Sequence, residues 1–517
     1  MNRAIAKLRA LLPFVLRRLA SAGAVALLAS CSVGPDYQKP PAETPDSFKE
    51  LGDWKPAEPK AAASGQPWWS VYDDPVLDQL EKQVDISNQN LKASEAAYRQ
   101  AVALVGEARA GYFPSIGLDP SATRSRTPGG SFNSSGSGSG HASIGNQFSL
   151  PVDASWVIDI WGQVRRQVES ARATAQASAA TLSALRLSEQ ATLAQDYFQL
   201  RVDDELKRLL DDTAKAYART LQITQNRYKV GVSARSDVAQ AQAQLDNTRS
   251  QALAVEVPRA QLEHAIAVLI GKPPSEFQLV ASPTPYAIHV PVAPAGLPSA
   301  LLERNPTVAS AERSVAAANA QIGVAIAGYF PTLTLTGSYG FSSSMLDTLM
   351  KSSNLAWTIG PQVNWNLFNG GLTASQVAAA RAGYDQTVAN YRQAVLTSFQ
   401  GVEDNLAALK ILEQQAVVQD SAVKAAQLAE KLILNQYLAG NVDFTTVVTA
   451  QATALADQQT AYGVTQSQLN ASVLLIETLG GGWDASQIPD ASLPLLEPPE
   501  EVPDVPGTNP HPGTGSP

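Results

Sequence analysis

Residues 355–371 read LAWTIGPQVNWNLFNGG. Trp357, Ile359, Val363, Trp365 and Leu367 alternate with Thr358, Gly360, Gln362, Asn364 and Asn366. Such period-2 patterning gives a strand one apolar face and one polar face. A partner strand lies upstream, where Leu333 and Leu335 alternate with Thr332, Thr334 and Thr336. Alternation over about ten residues suits a transmembrane barrel, apolar toward lipid and polar toward the lumen. After the Asn-Gly-Gly the pattern changes. Residues 371–437 contain no proline and only Gly383 and Gly401 within, which predicts a helix of about 100 Å at 1.5 Å per residue.

The same programme appears earlier in the chain. GYFP stands at 111–114 and again at 328–331, and NQNL at 88–91 answers NPTV at 305–308, both 217 residues apart. DIWGQ with Gly162 answers NLFNG with Gly370, and NRYKVG ending at Gly231 answers NQYLAG ending at Gly440. The last long helix of each half stops 40 residues further on, at Gly271 and Gly480. Landmarks in constant order and spacing indicate an internal duplication. The first half should hold a hairpin in 112–160, with Ile144, Phe148, Leu150, Val152, Ala154, Trp156 and Ile158 on one face. The second holds one in 329–368. Each half opens with a helix (75–110 and 297–327) and ends with a long helix pair (163–270 and 371–479). The predicted layout is therefore a repeat at 75–271, a linker at 272–296, a second repeat at 297–482 and an acidic, proline-rich tail at 483–517. The aromatics Tyr112, Phe113, Trp156, Trp161, Tyr329, Phe330, Trp357, Trp365 and Phe368 are candidates for an interfacial girdle.

The chain has one cysteine, Cys31, in AVALLASCSVGPDYQKP. Arg3, Lys7, Arg9, Arg17 and Arg18 precede an apolar run at 19–29, and residues 1–30 carry no acid. That is the layout of an export signal, too short for a permanent membrane helix. LLASC resembles the lipobox of bacterial lipoproteins, which implies acylation of Cys31 and a lipid-anchored segment over 31–74. Ser32 lacks the aspartate that favours retention in the inner membrane. Without residues 1–30 the formal charge moves from −9 to −14. An acidic surface argues against nucleic acid as a partner. Four scattered histidines give no metal-ligand spacing, so no metal or other cofactor is expected beyond the lipid. No G-x-S-x-G, H-E-x-x-H or nucleotide-binding glycine loop supports an enzyme.

Four strands cannot close a barrel, and open edges cannot face lipid. The chain must oligomerise. Eight strands would leave an interior filled by side chains, so a pore favours three copies or more.

Together CSVGPDYQKP, PWWSVYDDPVLDQLEKQVDISNQNL, RYKVGVSARSDVAQAQAQL and QYLAGNVDFTTVVTAQATAL resemble the TolC family of outer-membrane factors, in its lipidated OprM/NodT-like branch. The resemblance covers about residues 31–482. It implies a mainly α protein with a transmembrane β-barrel: a trimer with a twelve-stranded barrel in the outer membrane and an α-helical barrel in the periplasm. It also implies export of small toxic compounds, received from an inner-membrane RND-type transporter through a periplasmic adaptor. The inter-helix turns then become adaptor-docking tips, Gly231, Val232 and Ser233 in one and Gly440, Asn441 and Val442 in the other. By residue type, Ser233 or Ser236, with Asp237, can cap the next helix there, and Asp443 and Thr445 can do so in the second half. Asp420 is a candidate for the periplasmic gate. Two other readings stand beside this one: a conduit for type I protein or polysaccharide secretion, and a non-conducting adhesive lipoprotein.

Overall fold

The computed structural model describes residues 32–51, 67–127, 143–282, 286, 290–291 and 303–490. Cys31, the Gly/Ser-rich stretch at 128–142, the start of the second repeat at 297–302 and the tail from 491 lie outside them. Among the described residues, helices α1 (Pro75–Ser87) and α2 (Gln89–Ala110) lead into strands β1 (Ser115–Leu118), β2 (Ser121–Thr127) and β3 (Ser143–Ile158). Helix α3 (Gln163–Lys229) then runs out, and α4 (Arg235–Ala254) and α5 (Glu256–Leu269) run back. The second repeat follows as α6 (Pro306–Ala327), β4 (Thr332–Ser343), β5 (Leu355–Asn364), α7 (Leu372–Leu438) and α8 (Phe444–Thr478).

The duplication is exact in helix length. Both α3 and α7 have 67 residues, and both α2 and α6 have 22. Each repeat also closes on itself with the same clasp. Asn88 Oδ1 accepts the Leu91 N–H at the start of α2, while its Nδ2 donates to Leu269 O at the end of α5, 2.9 Å away. Asn305 caps α6 through Thr307 and Val308 and donates to Thr478 O at 3.0 Å. Beside each clasp a glycine touches backbone. A Cβ on Gly271 would overlap the Ser87 carbonyl, and one on Gly480 the Arg304 carbonyl.

Three expectations need correction. The predicted helix at 75–110 is two helices, because Asn88 sits at φ −59°, ψ 126° to serve as a cap. The return helix of the first repeat is interrupted at Val255, whereas α8 is continuous. Pro258 lacks the N–H that would reach the carbonyl of residue 254, and its ring crowds that carbonyl. Finally, the glycine equivalent to Gly162 (φ 78°) is Gly371 (φ 89°) rather than Gly370, since these two precede α3 and α7 directly.

The described chain forms two compact units that cut across the repeats. One is helical (residues 32–101, 160–331 and 365–489) and the other contains the sheet (102–159 and 332–364).

In the helical unit, α3 and α6 approach closely through small residues, among them Ala173, Ala177, Ala180, Ala316 and Ala320, all buried. One apolar cluster gathers around Leu193, Tyr197 and Phe198, with Trp69, Tyr72, Leu77 and Ile266. A second forms around Tyr391, Val395, Phe399 and Val402, with Val308, Val315 and Leu475. Linker residues cross the middle of α3. Arg201 Nη1 holds Val280 O, Arg208 Nη2 holds Ser282 O, and Tyr286 N–H donates to Glu205. The hydroxyls of Tyr197 and Tyr286 both donate to Asp74 Oδ2, at 2.7 and 2.6 Å. No described helix is long and apolar enough to cross a membrane.

The sheet unit has the expected width of four strands, one of them in two segments. Among the described residues five segments are present, in antiparallel order β1/β2–β3–β4–β5. Segments β1 and β2 are one strand in register: Leu118 faces Val152 and Ser121 faces Ser149 without a shift. The ladder lapses between them because Pro120 and Pro151 both lack an N–H. The sheet is thus four strands wide, and β3 pairs with β4, joining the two repeats. The second hairpin ends at Asn364, so Trp365, Leu367 and Phe368 lie beyond the strand despite their alternation.

Candidate functional site

Registration sorts the sheet into two chemically distinct faces. Rows Ile158–Leu333–Val363, Trp156–Leu335–Pro361, Ile116–Ala154–Gly337–Ile359 and Leu118–Val152–Tyr339–Trp357 lie on one face. Rows Val157–Thr334–Gln362, Ser115–Ser155–Thr336–Gly360 and Gly117–Asp153–Ser338–Thr358 lie on the other. The apolar rows run from Ile158 to Phe148, about 34 Å along the strand at 3.4 Å per residue, or roughly 26 Å in height at the usual barrel tilt. That is the height of a membrane's apolar band. Tryptophans brace the strand bases: Trp156 Nε1 donates to Tyr112 O at 3.0 Å, Trp161 to Pro331 O at 2.8 Å and Trp365 to Tyr329 O at 3.1 Å.

At the far ends of the long helices both turns use one device. After α3, Gly231 N–H donates to Tyr228 O and Val232 N–H to Arg227 O, both at 2.9 Å. After α7, Gly440 N–H donates to Tyr437 O and Asn441 N–H to Gln436 O. These are paired C-terminal caps that require a left-handed residue, and the glycines supply φ 78° and 82°. A Cβ on either glycine would meet nothing within 4 Å, so backbone angle alone dictates glycine there. The tips also hold each other. Arg227 Nη1 donates to Leu438 O at 3.0 Å, and its guanidinium lies over the Tyr437 ring. Ser233 Oγ meets Tyr437 Oη at 3.1 Å, and Tyr437 packs on Phe444. Tyr217, Leu221, Leu245 and Val447 complete the cluster beneath.

Several expected tip roles change. Ser233 is half-buried against Tyr437 and does not cap α4; at that helix start Asp237 Oδ2 accepts from Ala234 N–H and Asp237 N–H donates to Ala234 O. Asp443 precedes α8 without a side-chain cap bond, and Thr445 Oγ1 instead reaches Gln240 on α4. Val442 is half-buried, tucked toward the cluster. Val230, at 73% exposure, stands out further than Val232 at 63%, yet it was not among the expected docking residues. Asp420 lies 18 residues before the end of α7, about 27 Å from the tip. It is exposed and paired with Lys424 Nζ at 2.5 Å.

The motif SVGPDY becomes a strap along α3 and α6. Val33 N–H donates to Trp161 O, and Arg166 holds Val33 O and Asp36 Oδ1. Asn319 donates to Pro35 O, and Tyr37 donates to Glu312. Gly34 (φ 97°) lies against Gly323, where a Cβ would strike the Gly323 backbone. Ser32 consequently sits beside Trp161 and Gly162, immediately after the end of β3 along the chain.

A family model, outer membrane efflux protein, matches residues 80–272 and 297–481, the two repeats almost end to end. The chain belongs to the outer membrane efflux protein family. This is a transport family of TolC type. Among its curated members, the toluene efflux pump outer membrane protein TtgC of Pseudomonas putida is 31% identical over 464 residues, 88% of this chain and 94% of that one. The pyoverdine export outer membrane protein OpmQ of Pseudomonas aeruginosa is 28% identical over 475 residues, covering 91% and 98%. The solved outer-membrane channel OprN superposes with a TM-score of 0.80 at 27% identity, covering 88% of this chain and all of that one. Family membership accounts for the duplicated helices, the one-sided sheet and the outer-membrane location together.

Proposed function

We propose that this outer-membrane efflux channel works as the exit duct of a tripartite pump, passing small toxic compounds received from an inner-membrane RND-type transporter through a periplasmic adaptor. The observation that carries the reading is the one-sided sheet, both of whose edges are open among the described residues. Strands β1/β2 and β5 leave unpaired N–H and C=O groups that lipid cannot satisfy. Three copies joined edge to edge form twelve strands, apolar outward and lined within by Thr, Ser, Gln and Asp. Such a lining offers water and no chemistry, in keeping with transport powered elsewhere. The named relatives act on toluene and pyoverdine, both small molecules.

The helical part lies in the periplasm on this reading, and the tips at 230–233 and 439–443 meet the adaptor. Acylation of Cys31 anchors the chain to the membrane on this reading, which the LLASC motif supports. Asp420 remains a proposed gate residue, acting only when neighbouring copies bring their helices to it.

The test is site-specific photo-crosslinking in cells from Val230, Val232 and Asn441, with the captured partner identified by mass. Capture of an adaptor belonging to a proton-driven efflux pump is the expected result. Capture of a secretion adaptor would move the cargo to protein or polysaccharide. A purified assembly that captures nothing and does not conduct ions would return the adhesive reading.

A further inference from the structure

The described strands carry Arg124, Arg126 and Asp153, with Asp119 just after β1 and Asp159 just after β3, and the charges along the ladder divide by face. Asp153 and Asp119 follow the polar rows, Asp153 opposite Gly117 and Asp119 bonded through its N–H to Pro151 O. Arg124 and Arg126 follow the apolar rows. Arg124 faces Asn146 and Arg126 faces Ile144, on the same side as Phe148, Leu150 and Val152. The apolar band ends at the row Ala122–Phe148–Ser343. Arg124 begins the next row and Arg126 the one after, about 7 Å along the strand. Both are exposed, and among the described residues neither has an ion-pair partner. No acid lies on this face of the described sheet.

A guanidinium placed just past the apolar band meets the headgroup layer, not hydrocarbon. Here two stand on one face of one strand, at the strand ends farthest along the chain from the helices, with Asn146 across the ladder from Arg124. Arginine forks bind phosphate oxygens bidentately. Charge complementarity therefore selects an anionic lipid headgroup, and the acyl chains of that lipid would lie on the apolar rows directly below. We propose that Arg124 and Arg126 form a binding site for the phosphate of a phosphorylated lipid in the outer leaflet, one site per copy. The proposal rests on the outer-membrane channel reading, which directs these strand ends outward.

The test uses the full-length assembled protein, purified and exposed to bis-phosphorylated lipid A or to its dephosphorylated form with identical acyl chains. Bound lipid is counted by native mass spectrometry after a mild detergent wash. The expected result is retention of the phosphorylated lipid by roughly tenfold over the dephosphorylated one, the size of a charge-assisted hydrogen bond. Arg124→Gln with Arg126→Gln should erase that preference while the oligomer persists on the same spectra. Arg124→Lys with Arg126→Lys should keep part of it. Equal retention of the two lipids, a preference that survives the double Gln variant, or displacement of lipid A by inorganic phosphate would overturn the site. Failure to bind either lipid, with no oligomer, would instead refute the barrel reading beneath it.

Discussion

Gly231, Gly440, Gly271 and Gly480 all hold left-handed backbone at helix ends, but they answer to different forces. At the tips only φ matters, so Gly231→Ala or Gly440→Ala should cost about 1–2 kcal/mol and leave a folded protein. At the clasps a Cβ also overlaps a carbonyl, of Ser87 or Arg304, so Gly271→Ala and Gly480→Ala should lower the melting temperature markedly more. Comparing melts of the four purified variants checks the ordering. Bulkier β-branched residues at the tips should impair export more than folding, read as drug susceptibility in a strain dependent on this channel. Glu81 presents another residue-scale case. It is fully buried on α1, neither carboxylate oxygen has a hydrogen-bond partner, and burial, aided by nearby Asp85, pushes its pKa up to about 9. The folded chain then keeps a proton that the unfolded chain releases above its ordinary pKa near 4.5. Stability from this group is complete below that value and is lost as pH rises toward about 9, by at most about 1.4 kcal/mol per pH unit. Glu81→Gln should remove that slope, raising stability in mildly alkaline buffer and changing little in acid. Denaturant titrations on either side of neutrality measure it.

At the scale of elements, the sheet's polar face carries Asp119 and Asp153 and no base among its described residues. Three copies would line the lumen with carboxylates, and such rings attract cations. Single-channel recordings in a salt gradient should show cation preference, and Asp153→Asn should reduce the cation-to-anion permeability ratio without removing conductance. The strands themselves were legible because alternation is local. Their joining was not: β3 pairing with β4 links residues separated by well over a hundred positions, and no short-range pattern encodes that register. The break between β1 and β2 was readable in principle, since Pro120 and Pro151 stand in the sequence. Its cause becomes clear only once the two prolines are found adjacent across the ladder. Helix lengths were legible too, because glycine and proline mark the ends, whereas the break at Asn88 depends on a distant acceptor, Leu269 O.

At the scale of the whole molecule, anchoring and assembly are separable on the proposed reading. Cys31→Ser should remove the lipid, seen as a mass change of the mature N-terminus, and weaken membrane retention. Oligomers on semi-native gels should persist, because the sheet edges and not the lipid hold the copies together. Complete loss of oligomer from the purified variant would contradict this.

Periodicity, punctuation and repetition determined the class of this protein from sequence alone. Alternating strands, proline-free helices, glycine stops and a chain written twice are local features, set by side-chain direction and backbone angle. The tips were legible for the same reason: a helix that must reverse needs a left-handed residue, and Gly231 and Gly440 stand where it reverses. Only the tertiary structure decided which tip residues face water. Ser233 turns inward because Tyr437 of the other repeat offers it a partner, Val442 because it packs on the cluster around Phe444 that both repeats build, and Val230 is left outside that cluster. The same holds for SVGPDY, a motif in sequence and a strap in space, whose Gly34 makes sense only against Gly323. Burial and contact are properties of residues far apart in the chain, so they become visible when the chain has folded and not before.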